Sequence, residues 1–94
     1  MTDHRKAGVW TTQDVIDVLR ALAREEDLPS HLIDGEITAN DTVDSLGIDS
    51  LGGVCLIERL ELKTGMVMPD EFLDLKDNIA EIAERLNRLV ESGA

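Results

Sequence analysis

Three stretches of the chain repeat aliphatic residues at the spacing of an α-helix, and this pattern limits the possible folds more than any other feature. The first stretch follows Thr11 and Thr12, either of which can cap a helix, and the others follow Ser50 and Asn78. The apolar positions are Val15, Ile16, Val18, Leu19, Leu22 and Ala23, then Leu51, Val54, Leu56, Ile57, Leu60 and Leu62, and finally Ile79, Ile82, Ala83, Leu86, Leu89 and Val90. No stretch alternates as a half-buried strand does. The sequence therefore predicts an all-α fold.

Local signals predict where these helices begin and end. The second helix is expected to run from Ser50 to about Thr64, with Gly65 as its stop. Asn78 and Glu81 have the spacing of a capping box at the start of the last helix. We expect an N-terminal flexible arm over residues 1–10, one domain over residues 11–91 and a short tail over residues 92–94.

A short additional helix is predicted between the second and last long helices. Pro69 suits the first helical position, and Asp70 and Glu71 would lie in the first turn, where the helix dipole favours acidic side chains. This helix would end near Leu75. Three longer helices and one short helix can bury their apolar faces in a small antiparallel four-helix bundle.

The connection before Ser50 is strongly acidic. Its acids are Asp34, Glu36, Asp41, Asp44 and Asp49, and no lysine or arginine lies between residues 34 and 49. The whole chain has 20 acidic and 9 basic side chains, for a formal net charge of −11. This balance argues against nucleic acid and anionic membrane surfaces as partners and favours basic ones. The ordinary explanation of the acidic run is a solvated loop, and the alternative is a docking surface for a basic partner.

The loop does not have the pattern of a calcium site. Placing Gly35 at the sixth position of an EF-hand loop puts Ser30 and Leu32 at the first and third positions, where carboxylates are needed. No other metal-ligand cluster is evident, so no metal is predicted.

The acidic loop ends in a tight turn at Gly47. Ile48 and Leu51 are expected to anchor this turn to the core, which leaves Ser50 facing outward. A serine at the start of a helix has an ordinary explanation as an N-cap. Two glycines follow it, and their presence indicates either the close approach of another molecule or tight packing against another helix.

The run Leu46-Gly47-Ile48-Asp49-Ser50-Leu51 closely resembles the phosphopantetheine attachment site of acyl carrier proteins, in which an Asp-Ser-Leu triplet opens the second helix. The resemblance extends from about residue 15 to residue 89. It implies the four-helix fold of that family and a covalent 4′-phosphopantetheine arm, derived from coenzyme A, on Ser50. Asp49 and Leu51 would be the flanking recognition residues.

The resemblance also implies partners. These are a phosphopantetheinyl transferase and the acyl-loading and chain-processing enzymes, with basic docking patches. The candidate recognition residues are Asp44, Asp49, Leu51, Glu58 and Glu61. Many free-standing carriers have a glutamate five positions after the modified serine, whereas this chain has Cys55. Two acids and two basic residues balance over positions 50–64, which shifts the expected electrostatic contact towards the preceding loop.

Members of the family can shelter an acyl chain between their helices. The candidate lining residues of such a pocket are Val54, Leu60, Met68 and Ile79. Flexible methionine side chains would permit the core to open. The ordinary explanation of these residues is plain core.

An enzyme is a poor alternative. His4 and His31 have no visible nucleophile partner, and Ser50 lacks the Gly-x-Ser-x-Gly pattern of hydrolases. We therefore expect a carrier protein that bears acyl or polyketide intermediates as thioesters, as a stand-alone carrier of a specialised pathway. A peptidyl or aminoacyl carrier of nonribosomal synthesis and an unmodified helical interaction module remain as alternatives.

The remaining expectations concern location and assembly. The lone Cys55 allows no internal disulfide, and no apolar run resembles a secretory signal or a membrane span. A cytoplasmic monomer without stable membrane association is expected.

Overall fold

The computed structural model describes residues 9–69 and 71–93. Its α-helices are α1 (Thr12–Arg24), α2 (Ser50–Thr64) and α3 (Ile79–Gly93), and short 3₁₀ turns lie at Ser30–Leu32 and Asp44–Leu46. Helix α1 packs against both α2 and α3. Within the described residues the only β-type pairing is an isolated bridge between Thr42 and Asn78. The predicted all-α fold is confirmed.

The capping and stop residues predicted from the sequence lie at the ends of the helices. The Thr11 hydroxyl oxygen caps α1 by accepting a hydrogen bond from the Asp14 backbone N–H. The Asp14 carboxylate in turn accepts from the Thr11 backbone N–H, which completes a capping box. At the start of α3, Asn78 and Glu81 each accept a hydrogen bond from the other's backbone N–H, at 2.8 Å. Helix α2 ends at Gly65, whose φ of 72° is left-handed. These local rules correctly place the start of α1, both ends of α2 and the start of α3.

The helices share one aliphatic core, but α2 contributes less to it than predicted. Leu56 and Leu60 are fully buried, whereas the side chains of Leu51 and Leu62 are 77% and 78% exposed. Val54 is 52% exposed. The expectation that Leu51 anchors the turn to the core is therefore wrong. The expectation that Leu51, Val54 and Leu62 belong to the buried face of α2 is wrong as well. None of the described helices is long and apolar enough to cross a bilayer.

The structure does not confirm the predicted short helix after Pro69. Asp70 lies outside the described residues, and the backbone N–H of Phe72 donates to Pro69 O at 3.0 Å to close a single turn. From Glu71 to Asn78 the chain follows turns, with Phe72 buried and Leu73 packed against the core. The backbone of this segment forms two isolated turns, at Phe72 and Asp77, and further backbone hydrogen bonds join it to the connection before α2.

The long connection between α1 and α2 is fixed to that segment. Among the described residues, four backbone hydrogen bonds of 2.8 to 3.1 Å join residues 39–44 to residues 75–80. The Arg20 guanidinium also donates to the carbonyl oxygens of Leu32, Ile33 and Gly35, at 3.0 to 3.2 Å. Val43 is fully buried. The connection is therefore ordered by hydrogen bonds although it has little regular secondary structure.

The two ends of the domain meet at Trp10. Its backbone N–H donates to Asn87 Oδ1, and Asn87 Nδ2 donates to its carbonyl oxygen at 2.9 Å. Trp10 is half-buried against the core, whereas Val9 is exposed. Residues 1–8 of the expected arm lie outside the described residues. Helix α3 continues to Gly93, so the predicted tail begins within the helix, and Ala94 lies outside the described part.

Asp77 and Arg85 form an ion pair where the 65–78 segment meets α3. Arg85 donates to both Asp77 carboxylate oxygens and to Phe72 O, the last at 2.8 Å. The Asp74 backbone N–H donates to Asp77 Oδ2 at 2.9 Å. Burial raises the pKa of the Asp77 carboxyl, but the hydrogen bonds from Arg85 and Asp74 and the Arg85 charge outweigh it, so the pKa lies below its ordinary value.

We predict that Asp77→Asn lowers the free energy of unfolding at pH 7 by about 1 to 3 kcal/mol, because it weakens charge-assisted hydrogen bonds in a mostly buried site. A depressed carboxyl pKa stabilises the fold above the pKa of the unfolded chain, and this stabilisation is lost as the pH falls through the lower folded value. Urea unfolding at several pH values measures it: the gap between wild type and variant should close as the pH falls below the ordinary aspartate range. The exposed Asp34→Asn is the matched control, and a gap independent of pH would contradict the prediction.

Gly52 and Gly53 are adjacent in α2 but face different environments. A Cβ on Gly52 would lie 2.9 Å from both Ile48 Cγ2 and Leu28 Cδ2. A Cβ on Gly53 would lie 3.5 Å from Leu73 Cδ2, which is ordinary van der Waals contact. Tight packing therefore explains Gly52, while Gly53 has room for a methyl group.

We predict opposite effects of alanine at these two positions. Gly53→Ala should stabilise the protein by about 0.5 kcal/mol through helix propensity. Gly52→Ala gains the same propensity but overpacks the core, at a cost of about 1 to 3 kcal/mol, so it should destabilise. Thermal and urea unfolding of the two variants test this, and equal shifts of the same sign would contradict the packing argument.

Candidate functional site

The turn that leads into α2 requires glycine at position 47. Gly47 ends the 3₁₀ turn Asp44–Leu46 with a φ of 85°, which disfavours residues with a side chain. A Cβ there would also lie 3.3 Å from His31 Cε1. The next residue, Ile48, is buried and anchors the chain to the core. The residues after it are consequently brought to the surface at the start of a helix.

Asp49, and not Ser50, caps α2. Asp49 Oδ1 accepts a hydrogen bond from the Gly52 backbone N–H at 2.9 Å, and its extended backbone is typical of an N-cap. Ser50 is the first residue of the helix and is exposed. Among the described residues, none makes a hydrogen bond with the Ser50 hydroxyl. The ordinary explanation of this serine as a cap therefore fails.

The position of Ser50 suits a covalently attached phosphate group. The first backbone N–H groups of a helix lack partners within it, and the helix dipole is positive at that end. A phosphodiester on the Ser50 oxygen would lie beside this end, where an anion is stabilised. The exposed hydroxyl is open to an approaching enzyme.

The chain contains another Asp-Ser-Leu triplet, Asp44-Ser45-Leu46, five residues before Asp49-Ser50-Leu51. The two triplets differ in structure. The Ser45 hydroxyl donates to Thr42 O at 2.8 Å and accepts from the Thr42 backbone N–H at 2.9 Å. It lies within a three-residue 3₁₀ turn and not at the start of an α-helix. The two triplets have the same residues, and the fold adds a structural difference to the Leu46-Gly47-Ile48 run that precedes only Ser50.

Three acids of the connection have structural partners. Asp49 caps α2, and Asp41 Oδ2 accepts from the Thr38 backbone N–H at 2.8 Å. Asp44 forms an ion pair with Lys76 Nζ at 3.6 Å. A hydrogen bond from the Thr42 hydroxyl lowers the pKa of the Asp44 carboxyl. Burial acts in the opposite direction, and the Lys76 charge lowers this pKa further. The sequence alone did not reveal that Lys76, 32 positions further on, offsets part of this acidic run.

The candidate recognition residues on α2 do not share one environment. Leu51 and Glu58 are exposed and lie two helical turns apart, so they are on the same face. Glu61 is half-buried, and its Oε2 accepts a hydrogen bond from the Met68 backbone N–H at 2.7 Å. The Glu61 carboxylate thus holds the segment after α2, a role that the sequence did not indicate.

The candidate pocket residues divide in the same way. Leu60, Met68 and Ile79 are buried members of the core. Val54 is exposed on α2 and does not join them in the core. Helical spacing identified apolar positions but not which of them other segments cover.

A groove beside the start of α2 was not predicted. It has a volume of about 270 Å³, and Asp27 and Asp49 are among its polar residues. Its apolar lining residues are Leu28, Pro29, Ile48, Leu51 and Cys55. We call it the α2 groove. Asp27 and Leu28 come from the turn after α1, more than 20 positions before Ser50. Nothing in the local sequence pattern relates the two segments.

Comparison with protein families gives one clear result. The family model described as the phosphopantetheine attachment site matches residues 16–86, from the first turns of α1 to the middle of α3. No curated protein and no solved structure matches the chain. The match spans most of the chain and includes the turn before α2. The chain therefore belongs to the phosphopantetheine attachment site family and is a carrier protein, not an enzyme, that bears a covalent 4′-phosphopantetheine group.

Proposed function

We propose that Ser50 is the residue to which the 4′-phosphopantetheine arm is attached, with Asp49 and Leu51 as its flanking recognition residues. The observation that carries this proposal is the exposed Ser50 hydroxyl, which no described residue engages because Asp49 caps the helix. Ser45, in the other Asp-Ser-Leu triplet, is held by Thr42.

The chemistry follows from this position. The Ser50 oxygen forms a bond to the β-phosphorus of coenzyme A, adenosine 3′,5′-bisphosphate leaves, and the hydroxyl proton passes to a base of the transferase. The chain presents the oxygen on an ordered helix start, and the positive end of the α2 dipole stabilises the resulting phosphodiester. The bound arm supplies a thiol that holds cargo as a thioester, so the protein itself contributes positioning and recognition.

We propose further that the cargo is an acyl or polyketide-type intermediate of a specialised pathway. The exposed face of α2 favours the specialised pathway, because this face combines Leu51 and Leu62 with the single acid Glu58, whereas the Glu61 carboxylate is bound by the Met68 backbone N–H. A partner that docks here would meet a largely apolar surface with few charges. Asp44 and Asp49, exposed in the preceding loop, would add electrostatic attraction, with part of the Asp44 charge offset by Lys76.

We predict that only the hydroxyl of Ser50 accepts the arm. Incubation with coenzyme A and a broad-specificity phosphopantetheinyl transferase should increase the mass of the wild type by one arm, and Ser50→Ala should gain nothing. Ser45→Ala is the matched control and should be modified like the wild type. Intact-protein mass spectrometry reads the result, and modification of Ser50→Ala would overturn the assignment.

The cargo proposal has its own test. Mass spectrometry of the arm ejected from protein purified from its native host should show an acyl or ketoacyl thioester. An aminoacyl or peptidyl thioester would contradict the proposal and indicate nonribosomal synthesis. A chain without an arm in that host, and unmodified by any transferase, would instead indicate a helical interaction module.

A further inference from the structure

The α2 groove adjoins the proposed attachment site and has a definite chemical character. Its apolar lining comes from the turn after α1 and from the turn into α2 and its first turns, namely Leu28, Pro29, Ile48, Leu51 and Cys55. Leu28 and Ile48 are buried at its base, whereas Leu51 is exposed at its edge. A cavity of about 150 Å³ is large enough for benzene, so a groove of about 270 Å³ can hold one large apolar side chain.

Carboxylates lie at this groove and no basic side chain lines it. Asp27 and Asp49 are both exposed. The Asp49 carboxylate places a negative charge at the groove, and its Oδ1 accepts the capping hydrogen bond from the Gly52 backbone N–H. Among the described residues, none donates a hydrogen bond to the Asp27 carboxylate. Its negative charge does contribute to raising the pKa of the nearby Arg59 guanidinium. Asp27 is therefore available to a partner.

We propose that the α2 groove binds one apolar side chain of the phosphopantetheinyl transferase, from a segment in which a lysine or arginine lies next to it. The proposal rests on the proposed function of Ser50. The apolar side chain fills the space above Leu28 and Ile48, and the adjacent cation pairs with Asp27. Docking at this point holds the transferase beside the exposed Ser50 hydroxyl.

Charge complementarity favours a basic partner over a second copy of this chain or the arm, and the adjacent Ser50 hydroxyl makes the transferase the partner that must dock here. A cation next to an apolar group matches the two carboxylates and the apolar lining of the groove, and opposite charges steer association and raise its rate. A second copy of this chain would bring a further net charge of −11 to an acidic surface, which repulsion disfavours. The arm itself has no cation to pair with Asp27.

The charge of Asp27 provides the first test. Asp27→Asn should raise the KM of the transferase for the carrier about threefold at low salt with kcat unchanged, and this difference should fade as salt screens the charge. Glu91→Gln changes the net charge equally at an exposed position of α3 outside the groove, and its KM should match the wild type. Equal KM values for Asp27→Asn and Glu91→Gln would overturn the role of Asp27.

The apolar part of the groove provides the second test. Cys55→Leu fills the groove and should raise the KM about fivefold, as expected for loss of a buried apolar contact. Val90→Leu enlarges a half-buried side chain of α3 outside the groove and should leave the KM near the wild-type value. Thermal unfolding of both variants verifies that they fold. Equal KM values for folded Cys55→Leu and Val90→Leu would overturn occupation of the groove.

The two proposals fail in different ways. A wild-type chain that no transferase modifies overturns the assignment of Ser50. A wild-type chain that is modified, with Asp27→Asn and Cys55→Leu indistinguishable from their controls, overturns the groove proposal alone. In that second case, new methyl chemical shifts at Leu28 and Ile48 after attachment of the arm would identify the arm as the occupant instead.

Discussion

The backbone hydrogen bonds between residues 39–44 and residues 75–80 are the constraint on which the rest of the structure depends. The connection between α1 and α2 is long, and ordering each of its residues costs about 1 to 2 kcal/mol of backbone entropy. Its backbone partners and the buried Val43 and Ile48 offset this cost. Asp77 lies at the centre of the arrangement, because its carbonyl oxygen accepts from the Val43 N–H and its carboxylate binds Arg85. One residue thereby links the connection, the segment before α3 and α3 itself.

Local and non-local rules explain how much of this structure the sequence could predict. The capping box of Asn78 and Glu81 and the stop at Gly65 depend on neighbours within a few positions, and the predicted ends were confirmed. The short helix after Pro69 was not confirmed, because Asp44 N–H and Arg85 contact carbonyl oxygens of that segment from elsewhere in the chain. The exposure of Leu51 and the α2 groove could not be predicted either, since spacing identifies apolar residues but not the segments that cover them.

The acidic connection combines structural and electrostatic roles in the same side chains. Asp49 caps α2 with one oxygen and remains exposed, and Asp44 pairs with Lys76 while also remaining exposed. A carboxylate fixed by hydrogen bonds keeps its charge at a defined point on the surface, whereas a free loop would spread it over many positions. Substitutions of these acids would therefore alter both stability and encounter with basic partners. Asp27 is different, because no described residue donates a hydrogen bond to its side chain, so its charge can be removed with less effect on the fold.

The two Asp-Ser-Leu triplets differ in their preceding residues, and the fold gives a physical reason why Ser50 is the better place for a phosphate. Both serines are exposed and both follow an aspartate, yet Ser45 lies in a 3₁₀ turn of three residues and is bonded to Thr42. Modifying Ser45 would break those bonds and place a phosphate beside a turn too short to have a substantial dipole. At Ser50 the capping bond belongs to Asp49, and a helix of 15 residues begins there. An attached phosphate would thus cost the fold little at Ser50, because Asp49 already performs the structural task that a helix-start serine usually has.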